Sequence, residues 1–210
     1  MEKWKKVLPL AVMGFLLTGC GTTTAEVTTI AILKDGTIEH TLVEDFGEES
    51  VDALQSMMLE KTAAYNKNSS GDDGITVKTV EAKDGIVKVV MTYPDAAAFD
   101  GFMNMDVVEV DPALRAPFFY GTVEEAFMEG YDLEIKLQGA ENEEVLQGKN
   151  DLLAKGEKKI IIYDNEMNLG APVQISLQEK PAYVSGNVTM IGKKLVEISG
   201  EEEMAYILME

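Results

Sequence analysis

The chain of 210 residues has one cysteine, one histidine, one arginine and one tryptophan, and each scarcity narrows what it can be. A single Cys20 forms no intrachain disulfide. A single His40 removes most zinc sites and the Ser-His-Asp arrangement, and no serine sits in a Gly-x-Ser-x-Gly elbow. The Gly-rich phosphate loops and dinucleotide fingerprint are missing as well, and so are clusters of Cys and His, so no cofactor and no metal are expected. Positive charge is also short. Eighteen Lys and Arg face 37 Asp and Glu, a formal net charge of −19. That balance excludes a nucleic-acid binder, whose affinity comes from cations neutralising phosphates. It equally excludes docking on anionic lipid through a basic patch.

The cations that exist are unevenly placed. Lys3, Lys5 and Lys6 precede an apolar run from Val7 to Leu17, then the small residues Thr18 and Gly19. This is the order of a secretory signal. The run is too short to span a bilayer, which takes about 20 residues. Leu17-Thr18-Gly19-Cys20 resembles the lipobox of bacterial lipoproteins. The resemblance implies cleavage after Gly19 and a thioether-linked diacylglycerol on Cys20, with a further acyl chain such as palmitate. It also implies an extracytoplasmic protein with the cell membrane as a partner. Two acyl chains bury about 30 methylenes at about 0.8 kcal/mol each, enough for a durable anchor. Removing residues 1–19, which carry three Lys and Glu2, leaves the remainder at −21. Residues 20–27 then form a short tether; the six residues between Cys20 and Val27 reach about 20 Å when extended.

The body has the composition of a globular domain, with 46% apolar and 26% charged residues. TTIAIL (28–33) and TIEHTLV (37–43) bracket Lys34-Asp35-Gly36, and ITVKTVEA (75–82) and IVKVVMTY (86–93) bracket Lys83-Asp84-Gly85. Each pattern predicts a hairpin, because Gly accepts the positive φ of a tight turn. A helix is expected after each: 50–65, with Val51, Leu54, Met58, Thr62 and Tyr65 on one stripe, and the segment AAAFDGFM after Asp95. Thr122 and Glu125 stand at capping-box spacing before a short helix ending at Gly130. A strand over 132–137 and a short helix over 145–153 follow, and from Lys158 six short strands separated by turn residues complete the chain. The fold class is therefore α+β: an antiparallel sheet from hairpin-then-helix units in 28–157, with a β-rich region over 158–210.

A second resemblance lies in the body. Phe118–Ala126, Gly130-Tyr131-Asp132, 188–198 and Ala205-Tyr206-Ile207 are similar to stretches in uncharacterised envelope lipoproteins of Gram-positive bacteria. It supports the lipoprotein class and implies no catalytic residues.

The chemistry is sparse. His40 lies on an apolar strand face with Ile38 and Leu42, the setting of a structural histidine. Asp164–Gly170 offers oxygens at the first positions of a calcium loop, but Leu169 stands where that loop needs Gly and Ile175 where it needs Glu. It reads as a hairpin loop. Arg115 is followed by Phe118, Phe119 and Tyr120 in a stretch bounded by Pro112 and Pro117. A cation beside aromatics is the make-up of a binding hot spot, and also of a salt bridge, to Asp111 or Glu109, over a buried aromatic pair. These four are the candidate binding residues. The sequence favours a non-enzymatic binding module, with an unidentified protein or small molecule as partner. The alternative is a carboxylate-dependent hydrolase of cell-wall or dietary glycans; a transporter accessory is a third reading.

Overall fold

The computed structural model describes residues 26–45, 50–68, 74–106, 111, 115–168, 171–199 and 204–210; Cys20 and residues 1–19, where a signal is expected, lie outside them. The fold is α+β. β1 (Thr29–Ile32) and β2 (Ile38–Asp45) form the first hairpin, β3 (Thr76–Lys83) and β4 (Ile86–Tyr93) the second. The same Lys-Asp-Gly tripeptide makes two different turns. In the first, Gly36 at φ +89° closes a three-residue loop, with the Leu33 amide donating to Thr37 O at 2.8 Å. In the second, Asp84 (φ 54°) and Gly85 (φ 84°) form a two-residue loop with both φ values positive, and Lys83 belongs to the strand. The shared tripeptide therefore does not mark equivalent backbone.

Each hairpin leads into a helix, α1 (Val51–Asn68) and α2 (Ala96–Met103). The α1 stripe is as the spacing predicts: Thr62 is buried, and Leu54, Met58 and Tyr65 pack on the core. Asp95 caps α2, its Oδ1 accepting from the Ala98 amide at 2.7 Å. Thr122 and Glu125 form the expected capping box on α3 (Val123–Met128), and Gly130 at φ +87° turns the chain away.

The remaining elements are β5 (Phe118–Thr122), β6 (Lys136–Gly139), β7 (Val145–Gln147), α4 (Lys149–Leu153), β8 (Lys159–Tyr163), β9 (Val173–Ser176), β10 (Pro181–Val184), β11 (Val188–Gly192), β12 (Leu195–Ile198) and β13 (Ala205–Met209). They build two sheets. Sheet I has the order β11-β12-β9-β1-β2-β4-β3, and sheet II the order β5-β8-β13-β10-β6-β7. Among the described residues all pairings are antiparallel except β1 with β9.

Sheet II is buried on both faces. Ile161, Tyr163, Ala205, Ile207 and Met209 point into a core shared with sheet I and α2. Their neighbours Ile160, Ile162, Tyr206 and Leu208 point the other way, under α3, α4 and Leu133. Double burial is why KIIIY and AYILM are continuous apolar runs, whereas β4, with one face inward, alternates buried and partly exposed residues.

Three expectations change. One sheet becomes two, because strands of 158–210 divide between them: β8, β10 and β13 enter sheet II while β9, β11 and β12 enter sheet I. Residues 131–135 are irregular and only 136–139 pair, while 145–147 form an edge strand and the helix starts at Lys149. The segment after Asp164 is no hairpin loop; it runs as a 3-10 turn (Asn165–Asn168) from β8 of sheet II to β9 of sheet I.

Candidate functional site around Arg115

β5 is an edge strand of sheet II, and its geometry decides what surrounds Arg115. Pro117 directs its carbonyl toward β8, accepting from the Asp164 amide at 2.9 Å. Its neighbours Ala116 and Phe118 therefore turn their backbone polar groups the other way, to the open edge. α2 lies along that edge and meets them with side chains. Asn104 accepts from the Ala116 amide at 3.0 Å and donates to the Ala116 carbonyl at 2.9 Å. Asp100, one turn earlier, accepts from the Phe118 amide at 2.8 Å. Two helix side chains thus stand in for a missing strand.

Asp100 is a buried carboxylate, with its side chain only 9% exposed. Its Oδ1 accepts from Phe118 and from Asn104 Nδ2 (3.3 Å), and its Oδ2 takes a charged hydrogen bond from Arg115 Nη2. Arg115, with 43% of its side chain exposed, covers this anion from the solvent side. Partial burial alone would lower the guanidinium pKa, but the hydrogen bond and charge of Asp100 outweigh it and raise it. The Tyr131 hydroxyl, close enough to interact with the same guanidinium, adds to this.

The aromatic candidates do not share a surface with Arg115. Successive strand residues point to opposite faces. Phe118, 2% exposed, enters the core between the sheets and meets Phe99 edge-on at 4.9 Å. Phe119, 8% exposed, enters the second core and stacks obliquely on Tyr131 at 5.0 Å. Tyr120 is half-buried against the first core, with Lys159 Nζ 5.8 Å from its ring centre. Arg115 is thus one member of a clamp whose other polar members, Asp100 and Asn104, carry no sequence signal beyond an i, i+4 spacing on a helix.

His40 lies inside the first core, 5% exposed, edge-on to Phe99 at 5.3 Å and 6.4 Å from Tyr93. Desolvation lowers its pKa from 6.5 to about 4, so it is neutral at ordinary pH. Burial likewise raises the Tyr93 and Tyr163 hydroxyl pKa values far above the usual range. Among the described residues no three His, Cys, Asp or Glu side chains are grouped to hold a metal ion. No helix of the described chain is long and apolar enough to cross a membrane. A surface depression of about 360 Å³ is open and lined by Asp35, Thr37, Gly74, Thr92, Tyr93 and Pro94. No protein-family model, no curated protein and no solved structure matches the chain.

Proposed function

We propose that this is an exported envelope protein, held at the bacterial cell membrane by lipid on Cys20, that acts as a binding or interaction module without catalysis of its own. The observation that carries it is Leu17-Thr18-Gly19-Cys20, the chain's lone thiol at the end of a short apolar run behind three lysines. The body behind this anchor supports the non-enzymatic half. Its one histidine is held neutral in the core, and its one arginine secures a buried carboxylate, so both groups that most readily serve acid–base or anion chemistry are engaged in holding the fold.

Cys20→Ser is the direct test. The wild type should float with membranes and give an N-terminal fragment heavier by a diacylglycerol. The variant should appear as unprocessed precursor or released protein. An unmodified Cys20 in the mature wild type would overturn the anchoring. A glycan-hydrolysing activity abolished by one Asp or Glu substitution that leaves the melting temperature unchanged would overturn the non-enzymatic half.

A further inference from the structure

The chain enters the fold at one end of sheet I. Immediately before β1, Thr28 is fixed beside β2, its Oγ1 accepting from the Val43 amide at 3.2 Å and donating to the Val43 carbonyl. The chain N-terminal to it therefore heads toward the end of β2, at Asp45. Asp45 pairs with Ile86, and Ile86 pairs with Lys83 across the Asp84-Gly85 turn. The chain entry and the tip of the β3–β4 hairpin thus share one rim. Ile86 is 43% exposed there, an apolar side chain among Glu44, Asp45, Lys83 and Asp84. The turn Lys34-Asp35-Gly36 lies at the opposite rim, where β1 ends at Ile32 and β2 begins at Ile38. Eight strand residues of β2 separate the rims, about 25 Å at the rise of an extended strand.

We infer that the Asp45–Asp84–Ile86 rim faces the lipid surface and that the rim carrying Lys34–Gly36 faces outward; this rests on the proposed anchoring at Cys20. The direction and shortness of the tether decide it. The eight residue steps from Cys20 to Thr28 reach about 26 Å when fully extended, about the distance between the rims. Bringing the far rim to the headgroups would require the tether to fold back and run straight along the body, whereas every less extended conformation leaves the entry rim within contact range of the headgroups. The open depression beside Asp35, Tyr93 and Pro94 then lies on the outward side.

The test uses the full lipidated chain, its own Cys20 acylated, in phosphatidylcholine vesicles doped with a nickel-chelating lipid. Asp84→Cys and Lys34→Cys each carry one spin label. Membrane-bound nickel should relax the label at 84 severalfold more than the label at 34. Equal relaxation, or a stronger effect at 34, in protein that floats with the vesicles overturns the orientation and leaves the anchoring intact. Protein with an unmodified Cys20 that does not float overturns both.

Discussion

Arg115 and His40 show how a single side chain sets the conditions under which the fold is stable. Removing Arg115 leaves the Asp100 carboxylate buried with amide donors and no counter-charge. Breaking such a pair costs about 3–5 kcal/mol, and the half-exposed guanidinium places this site toward the lower end. Arg115→Ala should therefore lower the melting temperature by many degrees, and Arg115→Lys should recover part of the loss. A melt unchanged in Arg115→Ala would mean that Asp100 is held by its amide donors alone. His40 acts through pH. The folded state keeps it neutral down to about pH 4, whereas the unfolded chain takes up its proton near pH 6.5. The unfolded state thus binds the extra proton between these values, and stability falls as pH drops from about 6.5, the loss being complete below about 4. A gap of about two and a half units at about 1.4 kcal/mol each amounts to about 3 kcal/mol. His40→Leu should lack this component. Denaturant melts of both proteins at pH 7 and pH 4.5 should give a smaller acid loss for the variant; parallel losses would show that His40 gains a partner when protonated.

At the scale of elements, both hairpin-following helices end with the same device. Asn66, near the end of α1, accepts from the Ile75 amide at 2.8 Å and donates to the Ile75 carbonyl at 2.9 Å. Asn104, just past α2, does the same to Ala116. In each case one carboxamide satisfies both backbone groups of a buried residue next to a strand that begins an outer edge, β3 or β5. Asn→Ala leaves a buried N–H and C=O unmet, at about 1–3 kcal/mol for each group that water does not reach. Asn104→Ala should cost more than Asn66→Ala, because Asn104 also bonds the Asp100 side chain and carbonyl. Amide exchange of Ala116 and Phe118 should quicken in the former and of Ile75 in the latter. Exchange unchanged at these amides would show that other groups protect the edges. The hairpins and helices around these clamps were legible because local rules produce them: Asp-Gly turns, the Thr122 capping box, and the 51-54-58-62-65 stripe. The clamps themselves were not. An Asp and an Asn four apart on a helix look like a solvated face until the tertiary fold lays a strand edge against them. Alternation does predict that Phe118 and Phe119 diverge once 118–122 is known to be a strand; the prolines around Arg115 made that stretch look irregular instead. The number of sheets was also hidden, since nothing local says that β8 and β9, ten residues apart, belong to different layers.

For the whole molecule, the order of sheet II matters most. β13, the last five ordered strand residues before Glu210, lies between β8 and β10 and pairs with both. All five of its residues are buried. Deleting 205–210 removes the middle of a sheet rather than a frayed end. The truncated chain should lose its cooperative thermal transition and its near-UV signal together; a truncated chain that still melts sharply would mean that sheet I and its helices form an independent unit. The same placement also sets an order of events. β13 joins two strands that precede it and do not pair with each other, so sheet II closes only when 205–209 docks. Until then β8 and β10 keep facing edges of unpaired backbone that any extended segment could fill, and the docking of one short strand is what turns that liability into the middle of a core.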